Sequence, residues 1–423
     1  MWPKFFNLSQ FLGEAVIENN KKVAVLGAGN GGQAMAADLA LRGFSTNLWN
    51  RSQERITPLQ NQGGIHLEGL LTGFSRPALI TCNLEDAVSG TDIIMITTTA
   101  DAHRSLIRQL SPYLREGQMI ILNPGRTGGA LEVRNTLREE HVMAQVYVAE
   151  AQSLPYACRI TRPGSVRIAG IKNALPLAAL PADDTPYVLE SVQELFPSFT
   201  PALHVLETSL GNIGAIFHPA VALFNVSRIE EKEKFLFYKS VTPKIAAFLD
   251  KLDQERLAIG KAFGLELTTA ADWLSKTYDN IRGATLHDRI QSNAAYAAIS
   301  GPTNLNNRLL YEEVPTGLVP LIALGRAADV PTPLCSSLAI LASTLTGIKF
   351  HREGRTLSRL GIKEMSVETL TEYILHGRRP LWTERVYDGH INLNTDNKPS
   401  HASTLSLSPA SKSSQGKNEL VEE

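Results

Sequence analysis

The stretch Lys21–Ser52 reads KKVAVLGAGNGGQAMAADLALRGFSTNLWNRS, and its reading decides the fold. Val23–Leu26 is an apolar, β-branched run that suits a buried parallel strand. Gly27, Gly29 and Gly32 follow in G-x-G-x-x-G spacing. Ala34–Leu41 is good helix-forming sequence, and Gly43 stands where a helix end favours a left-handed residue. Ser45–Trp49 reads as a second strand. In such a unit the first glycine permits the tight turn and the second lets a pyrophosphate approach the backbone. The third lets the helix pack on the sheet, and the helix N-terminus faces the phosphates. A lone glycine pattern is weak evidence, but strand, motif and helix together supply the context it requires. The loop Gly27, Ala28, Gly29, Asn30, Gly31, Gly32 is therefore a predicted dinucleotide site.

The end of the second strand bears on which dinucleotide. An NAD site commonly places Asp or Glu there to bond the ribose 2′-hydroxyl. Here stand Asn50, Arg51 and Ser52, with no carboxylate to repel a 2′-phosphate and a guanidinium and hydroxyl to bind one. The expectation is NADP(H) preferred, with NAD(H) accepted as well if Arg51 is simply a solvated surface charge.

Beyond Ser52 the pattern keeps alternating. Gln53–Gln62 suits a helix, Ile65–Thr81 short strands, Asp92–Thr97 a strand, and Ala102–Leu114 a helix with one apolar face. Met119–Leu122 is a strand, Asn123–Gly129 (NPGRTGG) a glycine-rich loop into a helix through Leu137, and Gln145–Ala149 another strand. This alternation predicts an α/β domain with a doubly wound parallel sheet and ligands at the C-terminal strand ends. Thr97 and Thr98 end one strand and are candidate cofactor donors, although threonines there equally make turns. The loop, with Asn123, Gly125, Thr127 and Gly128, offers N–H groups as a seat for a substrate carboxylate, or simple helix capping.

From about residue 200 strand patterns fade. Val241–Phe263, Val314–Ala328 and Thr332–Leu345 read as helices, with Pro243, Pro315 and Pro331 near their starts. The predicted organisation is an arm over 1–20, a dinucleotide-binding domain over 21–200, a mostly α-helical domain over 201–377, and a polar tail over 378–423 whose composition predicts disorder. Within the helical part, His218 lies in an apolar run with Asn212 nearby, and Arg308, Glu312 and Glu313 precede a helix. Arginine suits bidentate capture of a carboxylate, and a carboxylate can orient an imidazole for proton transfer. The bland alternatives are a core histidine and a solvated helix N-terminus.

The whole chain has 423 residues, 43% of them hydrophobic, and a net charge of −1 from 41 basic and 42 acidic side chains. Nothing in that balance points to nucleic acid or a membrane surface as partner. The three cysteines, Cys82, Cys158 and Cys335, are odd in number and widely spaced, as expected of thiols in a reducing compartment. No apolar run approaches the roughly 20 residues that span a bilayer. A cytoplasmic protein, monomer or homodimer, without a metal site is expected.

Seven ordered blocks carry a resemblance: VAVLGAGNGGQAMAADLALRG; Ala102–Val133 (AHRSLIRQLSPYLREGQMIILNPGRTGGALEV); Ala149–Arg159 (AEAQSLPYACR); Phe217–Glu230 (FHPAVALFNVSRIE); Phe237–Arg256 (FYKSVTPKIAAFLDKLDQER); Arg308–Leu321 (RLLYEEVPTGLVPL); and Val330–Ile362. From Val23 to about Leu375 the chain resembles the opine dehydrogenase family, which includes octopine and nopaline dehydrogenases. The resemblance implies a Rossmann-type N-terminal domain, a helical C-terminal domain and a cleft between them. It implies condensation of an α-keto acid with the amino group of an amino acid to an imine, which hydride from the nicotinamide reduces. It assigns His218 as the proton-transfer residue and Arg308 as the partner of the amino-acid carboxylate. Glu313 falls where many members carry the aspartate partner of the histidine, so here the acid reaches one methylene further. Other readings are a single-substrate dehydrogenase resembling glycerol-3-phosphate dehydrogenase or ketopantoate reductase, or a non-catalytic NADP-binding sensor. The first of these typically uses a lysine as proton donor, whereas the HP block points to His218.

Overall fold

The computed structural model describes residues 21–379; the expected arm (1–20) and nearly all of the expected tail (378–423) lie outside the described residues. The strands are β1 (Lys22–Leu26), β2 (Ser45–Trp49), β3 (Ile65–Gly69), β4 (Gly73–Ser75), β5 (Leu79–Thr81), β6 (Ile93–Ile96), β7 (Met119–Leu122), β8 (Tyr147–Ala151), β9 (Tyr156–Arg162), β10 (Ser165–Ile171), β11 (Leu175–Ala179) and β12 (Phe199–Pro201). Eight form one sheet in the order β12-β11-β8-β7-β6-β1-β2-β5. From β5 to β8 every pairing is parallel, which is the doubly wound arrangement the alternation predicts. The sheet is not parallel throughout: β11 runs antiparallel to β8 and carries β12 beside it.

Of a second sheet, ordered β4-β3-β10-β9, the sequence reading expects only the strands β3 and β4. This sheet covers the helix Asn30–Leu41, which is sandwiched between the two sheets and buried over Gly32–Leu39. That double burial explains the run of Gly and Ala: only small side chains let a helix approach sheets on both sides. Tyr156 Oη donates to the buried Asp38 at 2.6 Å and fastens β9 to the helix. The stretch Ile65–Thr81 therefore divides between the sheets, β3 and β4 joining the small one and β5 the edge of the large one.

After β12 the described chain is helical apart from an isolated bridge, Leu236–Ser300. The long helix Pro243–Ala262 starts at Pro243 behind the capping hydroxyl of Thr242. Pro333–Thr346 ends at Gly347 in the left-handed region. The predicted helix over 314–328 opens instead with one wide π turn, Val314–Leu318, before Val319–Ala327. Such turns concentrate at functional sites. One face of the large sheet (Leu26, Ile120, Leu122) shares a continuous core with Leu206, Phe217 and Ile374 of the helical part. That shared core places the helices over the C-terminal strand ends.

Candidate active site

At the end of β1 the turn closes by Gly27 N–H donating to Trp49 O at 2.8 Å. Gly27 has φ +116°, where an L side chain is strained. A Cβ on Gly32 would stand 1.6 Å from Gly27 O, so the third glycine of the motif is required by packing. A Cβ on Gly29 would meet nothing within 4 Å, leaving the backbone open to an approaching group. Thr98 Oγ1, beside this turn, is buried without a hydrogen-bond partner among the described residues. An open backbone at a helix N-terminus and an unspent hydroxyl fit a dinucleotide phosphate and ribose.

Several of the expected cofactor contacts also make hydrogen bonds within the protein. Asn50 Oδ1 accepts from Ala28 N–H at 3.0 Å, and its Nδ2 donates to Ser52 O at 3.3 Å. Thr97 Oγ1 lies 3.2 Å and 3.0 Å from the carbonyls of Leu26 and Gly27, holding the turn. Asn30 Oδ1 accepts from Ile160 N–H at 2.9 Å, and Gly31 lies beneath Leu154. Arg51 and Ser52 are exposed at the strand end, and Arg51 makes no ion pair with another described residue.

The second cluster draws on four separate segments. His218, on the helix Gly214–Leu223, places Nδ1 2.7 Å from Glu313 Oε1 and Nε2 3.1 Å from Tyr238 Oη. Glu313, 1% exposed, also receives Arg126 Nη1 at 2.9 Å. Burial pushes its carboxyl up, but Arg126 and His218 outweigh that and hold it well below the usual carboxylate range. An ionised Glu313 favours the tautomer with Nδ1 protonated, which leaves Nε2 as the nitrogen facing the Tyr238 hydroxyl. Burial, with Tyr278 and Glu313 nearby, pushes the Tyr238 phenol up, so it remains a neutral hydroxyl stacked on Tyr296 at 3.8 Å.

The adjacent acids divide their work. Glu312 Oε2 binds Arg308 Nη2 at 2.9 Å, while its Oε1 lies 3.5 Å from Arg126 Nε and 3.4 Å from Ala100 N. The Arg308 side chain is 64% exposed, so its guanidinium is aimed by a buried acid and still reachable. Arg126 Nη1 also donates to Asn212 Oδ1 at 3.1 Å, and Asn212 Oδ1 caps Gly214 N–H at 3.0 Å, at the start of the His218 helix. Asn212, His218, Arg308 and Glu313 are thus brought together.

The loop Asn123–Gly129 does not present the free N–H groups read from its sequence. Gly125 N–H donates to Ala151 O at 3.3 Å, Thr127 N–H to Thr316 O at 3.2 Å and Gly128 N–H to Ser209 Oγ at 2.9 Å. All three residues are buried, so the loop is bonded into the fold at these positions. Asn123 donates to Ile121 O at 3.0 Å, and its buried Oδ1 has no hydrogen-bond partner among the described residues. Beneath the loop, fully buried Arg355 donates to Gly125 O at 2.8 Å and Thr127 O at 2.9 Å and pairs with Glu132 at 2.8 Å. What the loop delivers is Arg126, at φ 59°, and sequence reasoning passed over it. Tyr238 was also missed. Both lay inside quoted blocks, but no spacing rule links residues 126, 218, 238 and 313.

A glycine-motif turn at one sheet edge and a carboxylate-held histidine beside it describe a nicotinamide-dinucleotide oxidoreductase. Residues 201–346 match the family described as the α-helical domain of NAD/NADP octopine/nopaline dehydrogenase, and residues 22–149 match the N-terminus of NAD-dependent glycerol-3-phosphate dehydrogenase. An opine dehydrogenase of Arthrobacter sp. (strain 1C) is 42% identical over 349 residues, covering 82% of this chain and 97% of that protein. An octopine dehydrogenase of Mizuhopecten yessoensis is 26% identical over 374 residues, covering 79% and 92%. The structure of an octopine dehydrogenase with NADH and L-arginine superposes with a TM-score of 0.72 at 24% identity, over 85% of this chain and 99% of that one. A yersinopine dehydrogenase with NADP+ shares the fold at TM-score 0.68 and 17% identity, over 85% and 99%. The chain belongs to the opine dehydrogenase family. It is an oxidoreductase of the CH–NH class that binds NAD(H) or NADP(H).

Proposed function

We propose that this chain joins an α-keto acid to an amino acid with NADPH preferred over NADH, and that His218 moves the protons. The observation that carries the roles is the His218 imidazole clamped between buried Glu313 and Tyr238. Glu313 fixes the Nδ1–H tautomer, leaving Nε2 to take a proton from the amino acid's ammonium group. The freed lone pair attacks the keto carbon. His218 then returns the proton to the alkoxide oxygen, the nitrogen gives one of its own protons to the resulting hydroxyl, and water leaves a protonated imine. The nicotinamide, when bound, supplies the hydride. Arg308 holds the amino-acid carboxylate, steadied by Glu312, and Tyr238 keeps Nε2 facing the cleft in both protonation states.

On the cofactor side, the turn Gly27–Gly32 and Thr98 hold the dinucleotide, and Arg51 with Ser52 receives the ribose 2′-phosphate. What supports NADP(H) is an exposed guanidinium without an ion pair among the described residues, at a strand end that lacks a carboxylate.

The test is NADPH oxidation by the purified protein, with NADH in parallel, against keto acids and amino acids singly and in pairs. Turnover that needs both partners is expected. Turnover with a keto acid alone would place the activity with the hydroxy-acid dehydrogenases and end this reading.

A further inference from the structure

A product with two carboxylates needs two anion seats, and in the loop Asn123–Gly129 the N–H groups of Asn123, Gly125, Thr127 and Gly128 are spent within the fold. Of the other cations in and beside the His218 cluster, Arg308 takes the first seat, Arg126 is buried against Glu313 and Glu312, and Arg355 is buried against Glu132. Lys172 differs. It follows β10, is half-buried, and makes no ion pair with another described residue. Its Nζ donates to Ser153 Oγ, and its own N–H donates to Pro155 O at 2.9 Å.

Ser153 leaves the end of β8 on the ligand-binding edge of the sheet. Its neighbour Gln152 offers a carbonyl to Asn212 Nδ2 at 3.3 Å, the same Asn212 whose Oδ1 receives Arg126. On the other side Leu154 overlies Gly31 of the dinucleotide loop. Lys172 therefore stands where the chain passes between the cofactor turn and the proton-transfer cluster. We propose that Lys172, aimed by Ser153, seats an anionic ligand group at this edge, the carboxylate of the α-keto acid. An ammonium carries three donors and Ser153 uses one, which leaves two for a carboxylate. Burial without a compensating charge lowers its pKa to about 8, as expected of a cation that lacks its partner. The assignment rests on the reaction proposed above.

Lys172→Met and Arg308→Ala are compared with the unaltered protein for both substrate KM values and for NADPH Kd by fluorescence. Lys172→Met is expected to raise the keto-acid KM about tenfold, the equivalent of about 1.4 kcal/mol, with the amino-acid KM and NADPH Kd within about twofold. Arg308→Ala is expected to raise the amino-acid KM instead. Lys172→Arg should recover part of the keto-acid affinity. If NADPH Kd rises while the keto-acid KM holds, the seat belongs to a cofactor phosphate and the carboxylate assignment falls. Unchanged constants overturn the seat altogether. Should Lys172→Met fail to fold, Ser153→Ala serves, with a threefold or greater rise in keto-acid KM expected and no rise overturning the proposal. Failure of the reaction reading shows separately, in the unaltered protein turning over one substrate alone, and the keto-substrate KM of the variants still decides Lys172.

Discussion

The glycine turn and the His218 cluster are built on different principles. The dinucleotide turn lies within one stretch of chain and works through what it leaves out: a Cβ at Gly32 would collide with Gly27 O, and at Gly29 nothing fills the space. The His218 cluster works through what it brings in, with Arg126, Asn212, Tyr238, Glu312 and Glu313 arriving from distant segments. The first is backbone shape, held from the neighbouring strands by Trp49, Asn50 and Thr97. The second is charge balance, and it exists only once the sheet and helices have packed.

The contrast predicts separable failures. His218→Ala removes the proposed proton carrier and leaves the turn untouched, so kcat should fall about 10³-fold while NADPH Kd stays near the unaltered value. A parallel loss of NADPH binding would break the division. Arg126→Gln tests charge balance without touching His218. Glu313 is held below the usual carboxylate range, so its ionised form persists above the unfolded carboxylate pKa and is lost only as pH falls through the lowered folded value. Without Arg126, burial acts with less opposition and that loss moves to higher pH. The variant should show the acid limb of its kcat profile shifted upward, with about a tenfold lower kcat at pH 7 and partial rescue by Arg126→Lys. A uniform drop at every pH would reduce Arg126 to a packing residue. Arg51→Asp addresses the cofactor side: an exposed pair is worth up to about 1 kcal/mol, so the ratio of NADPH to NADH affinity should fall about fivefold. An unchanged ratio would remove Arg51 from cofactor choice.

The same contrast explains what could be read from the amino acids. Val23–Leu26, the glycine spacing and Ser45–Trp49 are local signals, and the structure forms those elements where the pattern placed them. Gln53–Gln62 and Met119–Leu122 also appear with the predicted ends. The small sheet as a unit was not legible, because β3 and β4 join β9 and β10 across about a hundred residues and no local pattern states that pairing. Strand-end position alone placed Asn50 and Thr97 beside the cofactor; their hydrogen bonds to the turn itself show only in the fold. Arg126 was hidden for another reason. Among glycines it looked like loop polarity, and only the fold carries it to Glu313.

Arg355 gives the halves a shared fate. Its guanidinium lies wholly inside, bonded to Gly125 O, Thr127 O and Glu132, residues more than 220 positions earlier in the chain. Cutting the chain after β12 would leave Glu132 an uncompensated charge in an apolar interior, a defect worth several kcal/mol. A dinucleotide module cannot simply be excised here. Any chimera that grafts a foreign helical half onto this sheet must bring an arginine to the same spot, or it will lose the loop that aims Arg126.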